Sequence, residues 1–339
     1  MPTVVLEKPG RFVLENTPEP TPPGPGEVLV RIRRVGICGT DLHAFEGTQP
    51  FFDYPRILGH ELGVEVIAAG REVTHIHPGD LCAVVPYMDC GDCVPCRMGK
   101  TNCCSNLDVL GVHVDGGMRD VLVLPAEKLL RSDVMSLEQL ALVETLGIGA
   151  HAVDRAAIER GETVLLIGAG PIGLSVLTFA LLAGARVILL EISARRIEFC
   201  KRRYDLFEVI SDTADVPSKL HALLGGELPT AVFDATGHAG SMTQAHDYVS
   251  NGGRLIYVGI TGSRISFDGP AFHRREMTLL GSRNARTVDL QRVIGHIEAG
   301  RIDTSPWITH RADPEGMLMD FPSWLDPESG VVKAVLEMA

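Results

Sequence analysis

The sequence predicts an α/β protein in two parts, a mostly-β domain joined to a doubly wound parallel sheet. Three observations predict it. The first 125 residues are rich in Gly and Pro and carry only short β-branched runs. From about Gly161 strand-like and helix-like segments alternate regularly. One of those strands runs into Gly168-Ala169-Gly170-Pro171-Ile172-Gly173, which opens an apolar helix. With 339 residues and 45% apolar composition, the chain is large enough to bury the cores of two domains.

In order along the chain, strand-like runs stand at 27–35, 64–68 and 80–85. A strand at 163–168, a helix at 171–183, a strand at 186–191 and a helix at 194–203 begin the alternation. Further strands are expected at 208–210, 230–235, 253–259 and 278–281. Residues 164–185 carry no charge and are numerous enough to span a bilayer, but three glycines and Pro171 cut them into strand, turn and helix. After Ser282 come a helix at 289–298, the segment 307–310 and a mostly apolar run at 330–336. This tail is too short for a core of its own, so it is expected to return to the first domain.

The formal charge of -12, with no basic run, excludes nucleic acid as a partner. The opening MPTVVLEKPGRF lacks the apolar core of a secretory signal, so a cytoplasmic protein with no membrane partner is expected. In reducing surroundings a cluster of five cysteines between 90 and 104 points to metal rather than disulfides.

Cys90-x2-Cys93-x2-Cys96-x7-Cys104 places four thiols in one short loop. Zinc takes four such ligands in a tetrahedron, and a closed shell leaves no room for substrate, so this site is expected to be structural. Cys103 beside Cys104 leaves the fourth ligand open, and reduced cysteines without metal are the alternative. A zinc-ribbon nucleic-acid module would need a basic patch, whereas Asp89 and Asp92 offset Arg97 and Lys100.

A second constellation is Cys38-Gly39-Thr40-Asp41-Leu42-His43 followed by Gly59-His60-Glu61. A thiolate, an imidazole and a carboxylate suit a metal that keeps an open position, although each residue alone is more often a packing residue. In the glycine motif, the missing side chains permit a tight turn and close approach of the backbone to a pyrophosphate at a helix N-terminus. Glu191 ends the next strand, 18 residues past Gly173. It either accepts hydrogen bonds from an adenosine ribose or is a solvated strand-end charge.

CGTDLH, GHE, the four-cysteine loop and GAGPIG, in this order and at these separations, resemble the zinc-containing medium-chain dehydrogenase superfamily across essentially the whole chain. The resemblance implies a GroES-like catalytic domain over 1–146, a Rossmann NAD-binding domain over 147–282 and a return to the catalytic domain over 283–339. It implies two zinc ions per chain. Cys38 and His60, with Glu61 in some states, would hold the catalytic one, and Cys90, Cys93, Cys96 and Cys104 the structural one. Thr40 and His43 match a proton relay. Gly168, Gly170, Pro171, Ile172, Gly173, Glu191 and Arg196 would face the cofactor. Simple-alcohol dehydrogenases complete the catalytic shell with a second cysteine. Here Leu142-Val143-Glu144-Thr145-Leu146 offers Glu144, as in the sorbitol, threonine and sugar-acid branch, whose usual motif is Glu-Pro-Leu. Thr145 departs from that motif, and Val64 stands where a glycine is usual after GHE.

The resemblance implies oxidation of a secondary hydroxyl of a polyol or sugar acid to a ketone. Zinc would lower the pKa of the substrate oxygen and hydride would pass to NAD. The proton would leave through Thr40, the cofactor ribose and His43. Glu191 predicts NAD over NADP by repelling a 2′-phosphate, with Arg195 and Arg196 as nearby opposing charges. Arg283 matches an arginine that sorbitol-type relatives place in the substrate pocket, where it would bind a carboxylate or vicinal diol. Pairing with a scaffold carboxylate or with cofactor phosphates is the other role open to it. Simple alcohols and threonine-like amino alcohols are alternative substrates. A non-catalytic nucleotide-binding protein on this scaffold would keep the glycines and lose the zinc ligands. A homo-oligomer, dimer or tetramer, acting on a small-molecule alcohol completes the expectation.

Overall fold

The alternation Val28, Val30, Ile32 puts three β-branched side chains on one face of strand Glu27–Gly36, and all three are fully buried. In the computed structural model, which describes residues 1–49 and 52–338, this strand is the hub of the first unit. That unit comprises Met1–Thr145 and Arg286–Ala339. Its seven-stranded sheet runs in the order Ile308–Ala312, Lys333–Glu337, Glu27–Gly36, Glu61–Ala69, Leu81–Val84, Leu129–Arg131, with Val121–Pro125 also paired to Glu27–Gly36.

The C-terminal tail is part of this sheet. Lys333–Glu337 pairs antiparallel with Glu27–Gly36 in the register Val335↔Gly36, and Ala334, Val335 and Leu336 are buried. Helix Pro314–Trp324 adds Phe321, whose ring lies 4.8 Å from Phe12 and 5.1 Å from Phe45. These aromatic contacts tie the tail to the N-terminal hairpin Pro2–Lys8/Arg11–Asn16 through Phe12 and to helix Gly39–Glu46 through Phe45.

Leu146–Ala285 forms the second unit. Its six strands are all parallel, in the order Glu208–Ile210, Arg186–Leu190, Thr163–Ile167, Ala231–Asp234, Arg254–Tyr257, Thr278–Gly281. Val164, Leu165, Leu166, Val187, Ile188 and Leu189 are fully buried, as continuous apolar strands covered on both faces must be. The strand order reverses between Thr163–Ile167 and Ala231–Asp234, the place where such sheets bind ligands beyond the carboxyl ends of the strands. The uncharged stretch divides into strand Thr163–Ile167 and helix Pro171–Leu182. Among the described residues no helix is long and apolar enough to cross a membrane.

Two long elements have no counterpart in the sequence-based expectation, the helices Val143–Ala156 and Pro314–Trp324, and the first is the one beside the metal group. Glycines at 147 and 149 depress its helix propensity and hide the period. The interior position of Gly149 is explained by packing, since a Cβ there would stand 2.2 Å from Ser175 Oγ and 2.4 Å from the Val176 backbone nitrogen.

Candidate metal centres and nucleotide site

The four-cysteine loop is held by a single turn of helix, Val94–Arg97, and a 3-10 turn, Thr101–Cys103. Its sulfurs converge: Cys93 Sγ lies 3.4 Å from Cys96 Sγ and 3.8 Å from Cys104 Sγ, which lies 3.5 Å from Cys90 Sγ. A tetrahedron with metal–sulfur arms of about 2.3 Å has edges of about 3.8 Å, so the donor set fits zinc. Backbone N–H groups of Ser105 and Cys96 hold the Cys93 thiol down at about 6, whereas burial pushes Cys96 up to about 12. A metal cation would stabilise the thiolate form at all four. Cys103 is exposed and outside the group. Beside the loop, Lys128 donates to Asp89 at 2.6 Å.

The second group is assembled from distant segments. Cys38 caps helix Gly39–Glu46, and its N–H donates to Asp41 Oδ2 at 2.8 Å. His60 and Glu61 lie at the start of strand Glu61–Ala69, and one ligand atom from each of Cys38, His60 and Glu61 falls within 4.8 Å of the others. Glu144 stands beside this trio, buried on the first turn of Val143–Ala156, and accepts a hydrogen bond from the Tyr87 hydroxyl.

The charges around the trio are unbalanced. Cys38, Asp41, Glu61 and Glu144 face two basic side chains, the His60 imidazole and Lys333, whose Nζ lies 2.5 Å from both oxygens of Glu61. Burial alone would lower the His60 pKa, but the Cys38 thiolate and Asp41 carboxylate raise it well above the ordinary value. Burial raises the Glu144 carboxyl against the opposing pull of His60. His60 Nδ1 and Asp41 Oδ1, 3.9 Å apart, are buried without hydrogen-bond partners. Acidic groups in excess, with a buried imidazole and a half-buried thiol, fit a divalent cation that prefers nitrogen and sulfur donors.

In the second unit, Gly170 caps the helix and Pro171 occupies its first turn. A Cβ on Gly173 would stand 2.0 Å from the Gly168 carbonyl oxygen, so only glycine lets helix and strand meet here. At Gly170 the space is open, with the Arg196 guanidinium 3.9 Å from where a Cβ would be, and this leaves room for a phosphate at the helix N-terminus. Ile172 follows in the same first turn. Glu191 is not a solvated charge. It is 5% exposed, and its carboxylate accepts from the N–H groups of Ala169 at 2.7 Å and of Ile192 and Ser193 at 2.8 Å. Arg196 lies 4.0 Å from it.

Thr40 and His43 lie one turn apart on helix Gly39–Glu46; Thr40 is half-buried and His43 exposed, its Nδ1 3.4 Å from Glu46 Oε2. Arg283 is exposed just beyond strand Thr278–Gly281. Sequence reasoning assigned no role to Lys333, Asp41 or Tyr87. A lone lysine inside the apolar run 331–336 was a legible signal, and Asp41 lies inside CGTDLH, whereas nothing local marks Tyr87.

A closed four-sulfur loop, an open thiolate–imidazole–carboxylate group and a parallel sheet with a glycine-rich phosphate turn together define a zinc-dependent, nucleotide-linked dehydrogenase. Residues 24–134 match the alcohol dehydrogenase GroES-like domain and residues 171–299 match zinc-binding dehydrogenase. The chain is 39% identical over 311 residues, 92% of it and 91% of the relative, to L-galactonate-5-dehydrogenase of Escherichia coli K12. It is 32% identical over 324 residues, 92% and 85% respectively, to L-arabinitol 4-dehydrogenase of Hypocrea jecorina. A crystal structure of a short chain alcohol dehydrogenase from E. coli CFT073, complexed with NADH, matches with a TM-score of 0.92 at 28% identity and covers 100% of this chain and 99% of that one. The chain belongs to the zinc-binding alcohol dehydrogenase family and is an oxidoreductase acting on CH–OH groups.

Proposed function

We propose that the chain oxidises a secondary hydroxyl of a polyol or sugar acid to the ketone, passing hydride to NAD and one proton to solvent. The observation that carries this is the Cys38–His60–Glu61 trio, with His60 and Glu61 buried and the buried Glu144 beside it, a donor set richer in oxygen than two cysteines and a histidine. The names of the relatives, a sugar-acid dehydrogenase and a polyol dehydrogenase, support the same substrate class. The NADH held by the structural neighbour supports the cofactor.

Cys38 and His60, with a carboxylate from Glu61 or Glu144, would hold one zinc, and Cys90, Cys93, Cys96 and Cys104 a second. When bound, zinc polarises a hydroxyl oxygen as a Lewis acid and the nicotinamide accepts hydride. The Thr40 hydroxyl would accept the substrate proton as it gives up its own, and the exposed His43 one turn away would pass one proton on to water. Glu191, fixed by three backbone N–H groups, would accept from the ribose hydroxyls, and the open space at Gly170 with Arg196 nearby would take the pyrophosphate. Arg283 would bind a substrate carboxylate or diol.

We place the protein in the cytoplasm as a homo-oligomer, dimer or tetramer. Its cysteines are unpaired, which suits a reducing compartment, and light scattering decides the subunit count.

The deciding experiment follows nucleotide reduction by absorbance with a polyol, its matching aldonate, a simple secondary alcohol and threonine, in wild type and Arg283→Ala. Preference for the aldonate, with its KM raised or kcat lowered far more than for the simple alcohol in the variant, supports the proposal. If simple alcohols or threonine turn over best and Arg283→Ala affects all substrates alike, the substrate class and the role of Arg283 are both wrong.

A further inference from the structure

Glu61, Gly36 and Val335 lie in one row across the first sheet, because Gly36 pairs with Glu61 on one side and Val335 on the other. Lys333, two residues before Val335, projects to the same face as Val335. A Cβ on Gly36 would stand 2.1 Å from Glu61 Oε2, so the missing side chain makes the space into which the carboxylate turns. Lys333 Nζ meets that carboxylate at 2.5 Å from each oxygen, with the two side chains 1% and 0% exposed. An ammonium this close competes for the oxygens a metal would use, and its charge opposes a divalent cation in surroundings where water screens little. Glu144 differs: its hydrogen-bond partner is the neutral Tyr87 hydroxyl rather than a cation.

We infer that Lys333 is a positioning residue that holds Glu61 back from the metal at Cys38 and His60, keeping one coordination position available to substrate. This rests on the reading of the Cys38 group as a metal site. It runs against the ordinary expectation that losing an outer partner weakens metal binding by about 10- to 100-fold. Without Lys333 the Glu61 carboxylate is released to the metal, so binding tightens while turnover falls.

The test uses cobalt(II) as the probe, read as the difference spectrum against Cys38→Ser so that the four-cysteine loop cancels, together with the rate of cobalt release to a chelator. Wild type shows a thiolate-to-cobalt band in that difference. Lys333→Met weakens and shifts the ligand-field bands toward a higher coordination number and slows release by about tenfold. Lys333→Arg restores the wild-type spectrum at least in part. In the charge-neutral pair Glu61→Gln/Lys333→Met, which removes both members of a buried ion pair and so keeps the question open if Lys333→Met does not fold, the spectrum matches Glu61→Gln alone. Unchanged or faster release in folded Lys333→Met, or a spectrum that responds to Lys333 when Glu61 is already Gln, overturns the role of Lys333 while the metal site stands. Absence of the thiolate band in wild type overturns the metal site itself.

Discussion

The four-cysteine loop and the Cys38 centre both gather metal-ligating groups, but they are built in opposite ways. The loop collects its sulfurs from residues 90–104, and three of the four follow one another at intervals of three residues. The Cys38 centre draws on a helix cap, the start of one strand, the first turn of another helix and the last strand of the chain. A local site is closed by its own turn geometry and depends on the metal to hold it. A site gathered across a sheet is held by the sheet, so its members can be surplus in charge and still stay in place. The sheet around Cys38 tolerates the buried Glu61–Lys333 pair because both residues are fixed by strand register, Glu61 against Gly36 and Lys333 against Ile308.

The largest expected effect would break this comparison outright. Cys93→Ser should unfold or aggregate, since apparent zinc binding of about 10–16 kcal/mol in structural sites is coupled to folding. Cys38→Ser should keep a thermal midpoint within a few degrees of wild type yet lose activity by about a thousandfold or more, the loss expected when several kcal/mol of charge stabilisation disappear. Metal analysis should find two zinc ions in wild type and one in folded Cys38→Ser. Equal loss of stability in both variants would erase the difference between the centres.

Glu191 carries the comparison into the second unit, as a residue conspicuous in sequence whose setting is tertiary. Its carboxylate, held by Ala169 from the phosphate turn, should favour NAD over NADP by about a hundredfold in kcat/KM, because a 2′-phosphate would meet a buried like charge. Glu191→Ser should narrow that ratio, because Arg196, 4.0 Å from the carboxylate, then no longer faces it. Equal efficiency with both cofactors in wild type would contradict the assignment.

A smaller effect sharpens the account of the gathered centre. Tyr87→Phe leaves a buried oxygen of Glu144 without its donor, at a stability loss of about 1–3 kcal/mol, and should lower kcat by about tenfold. Thermal melts and kinetics on the same preparations check both. A variant with wild-type stability and turnover would show that Tyr87 does not orient Glu144.

The smallest lies away from both centres. Burial raises the Glu162 carboxyl, but hydrogen bonds from Arg254, Thr230 and the Glu159 N–H outweigh it and hold the pKa below the ordinary value. A lowered carboxyl pKa stabilises the fold above the unfolded-state value and loses that contribution as pH falls through the folded one. Urea midpoints should therefore drop below about pH 4.5 by an amount worth about 1 kcal/mol, and Glu162→Gln should abolish that part of the slope. An identical pH profile in the variant would show that the pair with Arg254 contributes nothing.

What the sequence alone determined is whatever is spelled by neighbours. The alternation after Gly161 and the glycine turn follow from periodicity and steric allowance over a few residues, and the four-cysteine loop from ligand spacing. Tertiary structure decided what depends on register and approach between distant segments. It brought Cys104 rather than Cys103 to the sulfur group, buried Glu191 on the phosphate turn, set Glu144 against Tyr87 and seated Lys333 on Glu61. Helix Val143–Ala156 belongs with these, because its glycines are poor helix formers in isolation and Gly149 is required by the close approach of Ser175 and Val176, which leaves no room for a Cβ. Outside the sulfur loop, the deciding energy is a hydrogen bond, ion pair or close packing between residues far apart in the chain, and no local window of sequence contains both partners.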